Sequence, residues 1–219
     1  MDREGAEDMR ENNMQAETFW DGIADSYAKR PIQNLDQHDR TVERSVAYLT
    51  PEAQVLEVGC GTGTIAMRLA GHCAGVLATD LSSGLLDIAR QRQADRGVAN
   101  VTFAHHGIDA LPEQQFDMVA AYNLLHLIED FEGGVAALAS RVKPGGVLVT
   151  KTGAMSETWA GRLLWPMIKV MQLLGKAPYI GFHTVRDIDA VMERNGLQIV
   201  EAETMGSGVV TRFLVARKL

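Results

Sequence analysis

The feature that most constrains the fold is residues 55–63, VLEVGCGTG, where an apolar run passes into a loop with glycine at every second position. A helical pattern of side chains begins directly after the loop, so this order predicts a strand, a tight turn and a helix N-terminus. Glycine adopts positive φ without penalty and lets the backbone approach a ligand closely. The first N–H groups of a helix have no partner within it. The stretch therefore predicts a ligand-binding loop.

The spacing of the glycines separates two classes of nucleotide site. A dinucleotide site needs G-x-G-x-x-G, and its third glycine would fall here on Thr64. The pattern is instead Glu57-x-Gly59-x-Gly61-x-Gly63. A carboxylate in this place repels a pyrophosphate and favours a ligand with an ammonium group. The motif resembles the first motif of the class I S-adenosylmethionine-dependent methyltransferases.

Size and charge exclude several other classes of protein. A chain of 219 residues suits one α/β domain with additional segments. A net charge of −7 without a basic run lacks the footprint of a nucleic-acid-binding protein. The two cysteines, Cys60 and Cys73, and the lack of a leader pattern or a spanning apolar run predict a reduced, cytoplasmic protein. No residues have metal-ligand spacing, so no metal is expected.

Strand and helix patterns alternate along most of the chain. We expect strands at 55–59, 75–80, 101–105, 116–122, 146–151, 197–204 and 209–216, and helices at 64–71, 83–96, 131–141 and 184–195. This alternation predicts a parallel sheet with helices on both faces, and the short turn before the last strand predicts an antiparallel hairpin. The resemblance implies a doubly wound, mostly parallel, seven-stranded Rossmann-like α/β sheet whose last strand is inserted antiparallel.

The domain organisation follows from composition and breaks. Residues 1–15 are polar and charged, which predicts a disordered start. We expect residues 16–219 to form a single methyltransferase domain. Within it, residues 16–50 form a helical cap interrupted at Pro31, and residues 155–182 form an insertion before the last helix.

Two parts of a cofactor site can be placed on the sequence. The resemblance implies that Glu57 and the loop residues hold the amino-acid portion of S-adenosylmethionine, the loop residues being Gly59, Cys60, Gly61 and Gly63. Cys60 is interpreted as a small packing side chain rather than a nucleophile. Asp80 ends the second strand, and an acid at this position can accept hydrogen bonds from both hydroxyls of a ribose. The next residue, Leu81, is assigned to the same cofactor site. Alternatively, Asp80 caps the following helix.

The adenine part is less regular. In related methyltransferases an aspartate a few residues before a Leu-Pro pair meets the adenine amine, and that position is Gly107 here. Either Asp109 reaches the base, or Ile108 packs against it, or Asp109 is a plain loop residue.

Four more residues are candidates around the reacting centre. The resemblance implies that Asn123, after the fourth strand, lines the pocket, and that Tyr27 closes over the methyl donor. Tyr27 alternatively belongs to an aromatic stripe that packs the cap. His126 and His183 are candidate general bases, because imidazole titrates near neutral pH. The alternative for His126 is a histidine that packs or caps on a helix surface.

The insertion at 155–182 is rich in tryptophan, methionine and leucine. We expect an apolar lid over the cofactor pocket that brings Trp159, Trp165 or Met171 to the acceptor. The alternatives are a core helix and, because Arg162, Lys169 and Lys176 recur every seven residues, a membrane-surface contact through 157–176. Oligomeric state is left open.

These features together predict S-adenosylmethionine-dependent methyl transfer to a small apolar acceptor. Two other classes stay open. One is a non-catalytic S-adenosylmethionine-binding protein with the same site. The other is a nicotinamide-dependent dehydrogenase, which shares Asp80 but is disfavoured by Glu57 and Thr64.

Overall fold

The computed structural model describes residues 3–31, 34–174, 176–206 and 210–219. In this part of the chain seven strands form one sheet: β1 (Gln54–Val58), β2 (Gly75–Asp80), β3 (Val101–His105), β4 (Phe116–Tyr122), β5 (Val142–Ala154), β6 (Leu197–Met205) and β7 (Val210–Lys218). Their spatial order is β3-β2-β1-β4-β5-β7-β6, and β7 runs antiparallel to both of its neighbours. The predicted fold class is confirmed.

Helices cover both faces of the sheet. They are α1 (Arg3–Ala28), α2 (Leu35–Val46), α3 (Thr64–Leu69), α4 (Ser83–Arg96), α5 (Phe131–Ser140), α6 (Trp159–Leu163), α7 (Trp165–Leu173) and α8 (Val185–Arg194). Side chains of α2, α3 and α4 share one buried apolar cluster with the sheet. Those of α5 and α8 share a second cluster on the other face. Central strands buried on both sides need continuous apolar runs, as in β4, where Met118, Val119 and Ala120 are fully buried.

The beginning of the chain differs from the prediction. Residues 3–15, expected to be disordered, continue α1 back to Arg3. The segment is polar, but its Glu, Met, Arg, Gln and Ala residues are good helix formers. A helix that is already nucleated by packed residues extends at low cost into such a sequence. The predicted break near Pro31 agrees with the end of α1 at Ala28 and the start of α2 at Leu35.

The insertion forms two short helices, α6 and α7, and hydrogen bonds join the two ends of the segment that contains them. The Ser156 N–H donates to the His183 carbonyl at 3.1 Å, and the Val185 N–H donates to the Glu157 carboxylate at 2.8 Å. The helix is interrupted at Leu164, so the basic residues predicted to share one helical face lie on α6, on α7 and beyond it. No described helix is both long and apolar enough to cross a bilayer.

Candidate functional site

A cavity of about 740 Å³ lies at the carboxyl ends of β1, β2 and β4, below the end of α1. This is the sheet edge where open α/β folds bind ligands. Nine of the residues predicted for the cofactor line it: Tyr27, Glu57, Gly59, Cys60, Gly61, Asp80, Leu81, Ile108 and Asn123. Gly63, Asp109, His126 and His183 do not.

The glycine loop has two separate functions. Gly59, Gly61 and Gly63 all have positive φ, at 71°, 53° and 70°. A Cβ on Gly61 would have only the Tyr27 ring nearby, at 3.9 Å, so the backbone there faces the cavity. A Cβ on Gly63 would lie 2.5 Å from the Phe103 ring. Gly63 therefore allows α3 to pack closely, which is the function of the third glycine in dinucleotide folds.

Glu57 is a buried acid with one oxygen unused. It is 2% exposed, and its Oε2 has no hydrogen-bond partner among the described residues. Burial, followed by repulsion from the Asp80 carboxylate, raises the pKa of Glu57 to about 8, against a hydrogen bond from the Ala66 N–H that lowers it. A ligand carrying an ammonium group would satisfy the free oxygen and stabilise the ionised form.

Asp80 connects β2 to the glycine loop. Its Oδ2 accepts from the Gly61 N–H at 2.7 Å, and its Oδ1 accepts from the Ser82 N–H at 2.9 Å. Burial raises the pKa of Asp80, and these backbone N–H bonds oppose the shift. The cap of α4 is Ser82, whose side chain accepts from the Leu85 N–H, so Asp80 does not cap that helix.

Tyr27 lies near the end of α1 and forms one wall of the cavity. Its ring meets Trp20 edge-on at 5.7 Å and approaches Gly61. Burial and the Asp80 carboxylate raise the pKa of the Tyr27 phenol. The tyrosine therefore packs within the aromatic stripe and borders the cavity at the same time.

Asp21 fixes α1 in this position, a contact that the sequence analysis did not anticipate. Its carboxylate accepts from the Ser82 hydroxyl at 2.6 Å, the Ser83 hydroxyl at 3.2 Å and the Gly84 N–H at 3.0 Å. An acid at the N-terminus of a helix is stabilised by its free N–H groups. Here the acid belongs to another helix, so α1 is tied to the start of α4.

The segment after β3 brings Gly107 and Ile108, but not Asp109, to the cavity wall. Asp109 is exposed, and a Cβ on Gly107 would lie 2.5 Å from its Oδ1. The carboxylate therefore folds back over the preceding backbone. Of the alternatives for this segment, packing by Ile108 fits the arrangement.

Asn123 directly follows β4 and has a φ of 56°, which is uncommon for a residue other than glycine. Its N–H donates to the Lys151 carbonyl at 2.6 Å, which holds the turn against β5. Strained backbone of this kind is concentrated at functional sites.

Neither candidate base, His126 or His183, lines the cavity. The Nδ1 of His126 accepts from the Gly153 N–H at 3.3 Å, and burial followed by repulsion from His183 lowers the pKa of His126 to about 4. Its neutral ring therefore carries the proton on Nε2, and its lone pair is already used. His183 stacks on Phe131 at 4.1 Å, with burial lowering its pKa. Within the described residues, no group of three or more His, Cys, Asp or Glu side chains is placed to hold a metal ion.

The polar residues of the cavity wall that the sequence analysis missed include His38 and Arg92. Arg92 donates to the Thr62 hydroxyl at 2.6 Å and to the Ala28 carbonyl at 2.8 Å, joining α4, the loop and the end of α1. Burial, then the nearby Arg68, lowers the pKa of His38. Both residues sit in helices assigned only to packing, and no motif distinguishes them.

The described part of the insertion does not cover the cavity, because none of residues 155–174 and 176–182 lines it. It is not a core helix either, since Trp159 and Trp165 are 75% and 48% exposed. The segment that returns from α7 lies beside the cavity wall, where the Gly181 N–H donates to the His126 carbonyl at 2.7 Å. The predicted lid position is thus replaced by an exposed position next to the cavity.

Sequence comparisons agree with this arrangement. A family profile described as a methyltransferase domain matches residues 55–146. The ubiquinone biosynthesis O-methyltransferase of Coxiella burnetii is 34% identical over 100 residues, which are 45% of this chain and 42% of that protein. The chain spans less than half the length of the first curated relatives that it matches.

Structural comparisons extend the likeness to most of the chain. A magnesium protoporphyrin IX methyltransferase from Synechocystis, solved with bound S-adenosylhomocysteine, matches with a TM-score of 0.73 and 20% identity, covering 95% of this chain and all of that one. An N-methyltransferase from Bradyrhizobium japonicum, also solved with S-adenosylhomocysteine, matches with a TM-score of 0.64 and 18% identity over 84% of this chain and 86% of that one. At these identities the likeness concerns the fold. The profile identifies a methyltransferase domain over residues 55–146, and the solved structures show that the chain has the Rossmann-like methyltransferase fold.

Proposed function

We propose that the chain binds S-adenosylmethionine in the cavity at the sheet edge and transfers its methyl group to a small apolar acceptor. The observation that carries this proposal is Glu57, a buried acid that lines the cavity and has one oxygen without a partner among the described residues. A cofactor with an ammonium group supplies the partner that this oxygen lacks. A dinucleotide has no such group and would bring its pyrophosphate towards the acid.

The remaining lining residues fit the other parts of the cofactor. Asp80 is positioned to accept ribose hydroxyls, and Ile108 offers an apolar surface to the adenine. The open backbone at Gly61 and the ring of Tyr27 border the space for the methionine portion. A tyrosine face suits a neighbouring cation.

S-adenosylmethionine supplies a methyl group already activated on a positively charged sulfur. The protein must therefore align the acceptor with that carbon and exclude water, which together remove much of a bimolecular barrier. We assign no proton transfer to His126 or His183, because neither lines the cavity and the lone pair of His126 accepts a backbone N–H.

The apolar character of the acceptor is supported by the wall after β4. Leu124, Leu127 and Ile128 border the cavity. The related proteins act on different acceptors by their names, an intermediate of ubiquinone biosynthesis in one and a magnesium porphyrin in another. Their diversity leaves the acceptor atom open, and an apolar ring compound is the class we propose.

Two measurements test the proposal in order. Calorimetry should give binding of S-adenosylhomocysteine in the micromolar range, about −8 kcal/mol, with negligible binding of NAD. Stronger binding of NAD would contradict the cofactor assignment. Transfer of a labelled methyl group to quinones, phenols, lipids and amines then separates an enzyme from a non-catalytic binding protein, which would bind the cofactor and methylate none of them.

A further inference from the structure

The helices α6 and α7 present an apolar surface to solvent. We call it the α6–α7 surface and define it by its exposed side chains: Trp159, Leu163, Trp165, Met167, Val170, Met171, Leu173 and Leu174. Trp159 is 75% exposed and Leu173 is 87% exposed. A contiguous set of large apolar side chains on a surface marks an interaction site. We propose that this surface docks the protein on anionic lipid membranes.

Helix α7 has a buried side and an exposed side, so its exposed apolar side chains belong to a folded helix that packs on the domain. Ile168 is 7% exposed and points inward, while Met167 and Val170 face solvent at 54% and 55%. The base of the insertion is closed by the hydrogen bonds at Ser156 and Val185. The surface is therefore held in place by the rest of the domain.

The charge of the segment selects the partner. Residues 158–182 contain Arg162, Lys169 and Lys176 and no Asp or Glu, in a chain whose net charge is −7. Within the described residues none of these three cations forms an ion pair. Tryptophan and leucine beside lysine and arginine are the composition of a helix that lies in a membrane interface. Each basic residue near an anionic surface adds about 1 kcal/mol.

The same charges disfavour a second copy of this chain as the occupant. A symmetric dimer places the same patch of both subunits face to face. Arg162, Lys169 and Lys176 of each copy would then gather around one apolar contact without a carboxylate from the segment to neutralise them. An anionic lipid surface provides both the apolar layer and the opposite charge.

The docking surface adjoins the cavity. In the segment that returns from α7, the Gly181 N–H donates to the His126 carbonyl, and Leu124, Leu127 and Ile128, near His126 in the chain, line the cavity. An apolar acceptor dissolved in the bilayer would reach the cavity along this wall. This last step rests on the proposed function, whereas membrane docking does not.

Flotation with lipid vesicles tests the docking. The full chain is mixed with phosphatidylcholine vesicles, with or without about 30% phosphatidylglycerol, at low and high salt. We expect flotation with the anionic vesicles and loss of binding as salt screens the charges. The double variant Trp159→Ser, Leu173→Ser should bind about tenfold more weakly, and Lys169→Glu, Lys176→Glu should lose the preference for anionic lipid.

Matched controls separate docking from folding and from cofactor binding. Leu35→Ser makes the same replacement as Leu173→Ser at a leucine that is 59% exposed on α2, outside the α6–α7 surface, and this variant should float like the parent protein. Calorimetry with S-adenosylhomocysteine on every variant checks the cavity, so that failure of docking and failure of the proposed cofactor are seen separately. Equal flotation of all variants, or none by the parent protein, overturns the inference. So does a concentration-dependent dimer that the Trp159→Ser, Leu173→Ser substitutions abolish without any vesicle binding.

Discussion

The carboxylate of Asp80 accepts a hydrogen bond from the backbone N–H of Gly61 at 2.7 Å. This bond joins the end of β2 to the loop after β1, and both residues line the cavity. The side chain that we propose to hold the ribose therefore also positions the loop that we propose to hold the methionine portion.

Replacement of Asp80 by alanine should weaken S-adenosylhomocysteine binding and slightly destabilise the loop. Hydrogen bonds to a charged group contribute about 1.5–3 kcal/mol each, so the affinity should fall at least about tenfold. Calorimetry and thermal melting on the same samples measure both effects. Asp95→Ala, which removes an exposed acid from the following helix α4, is the control. A large fall in melting temperature with unchanged affinity would reduce Asp80 to a structural residue.

Glu57 should make cofactor binding depend on pH. Its pKa of about 8 means that the carboxyl is mostly protonated near neutral pH, and pairing with an ammonium group requires the ionised form. Binding should therefore release a proton and strengthen as the pH rises towards 8. Calorimetry in two buffers of different ionisation enthalpy measures the released proton. Glu57→Gln should bind more weakly and release none, and proton release by this variant would exclude Glu57 as the source.

Glu57 should also make the stability of the cofactor-free protein depend on pH. Stability should decrease as the pH rises, whereas cofactor binding should strengthen. The folded pKa of Glu57 lies above its usual value of 4.5, so between 4.5 and about 8 the folded protein holds more protons than the unfolded chain. The free energy of unfolding should then decrease as the pH rises through this window. Denaturant melts at several pH values should show a shallower decrease for Glu57→Gln. Parallel profiles for the two proteins would contradict the raised pKa.

Asp109 and Ile108 should behave differently although they are neighbours. Asp109→Ala removes an exposed carboxylate that lies outside the cavity lining, and its effect on S-adenosylhomocysteine affinity should stay within about 0.5 kcal/mol. Ile108→Ala removes apolar surface from the cavity wall and should weaken binding by roughly 1.5–3 kcal/mol. If the Asp109 variant shows the larger loss, the aspartate reaches the cofactor after a local rearrangement.

Alanine substitutions at an exposed and at a buried position of α7 should destabilise the protein to different extents. Trp165 is 48% exposed, and its replacement by alanine should cost about 1 kcal/mol or less, with cofactor binding unchanged. Ile168 is buried on the same helix, and Ile168→Ala should cost about 2–5 kcal/mol. Denaturant melts of the two variants test this order. A larger loss for the Trp165 variant would restore the core-helix interpretation of the segment.

The elements of the sheet could be predicted because each carries a local signal. Apolar runs end at glycine or proline, and helix α4 begins at the predicted Ser83 and ends at the predicted Arg96. The exposure of α6 and α7 could not be predicted, because an apolar run has the same sequence pattern whether the helix is buried or faces solvent. That difference depends on what the rest of the chain leaves uncovered.

The residues of the candidate site also differ in how far the sequence predicts them. Positive φ at Gly59 and Gly61 is a backbone requirement that the sequence displays directly. The contacts of Asp21 with Ser82 and of Arg92 with Ala28 join residues far apart in the chain, and they exist only because α1 lies on α4. No rule of residue spacing predicts contacts between residues so far apart in the sequence. The residues assigned to cofactor binding and catalysis stay predictions until the measurements above are made.

The position of β7 has a consequence for biosynthesis. Strand β5 ends at Ala154, and its antiparallel neighbour β7 begins only at Val210, while β6 pairs with β7 and not with β5. During translation, β5 therefore leaves the ribosome with one open edge that nothing covers until the following helices and β6 have been made. Open strand edges on slowly completed domains recruit other chains. A nascent chain of this topology should depend on chaperones most strongly between the synthesis of β5 and that of β7.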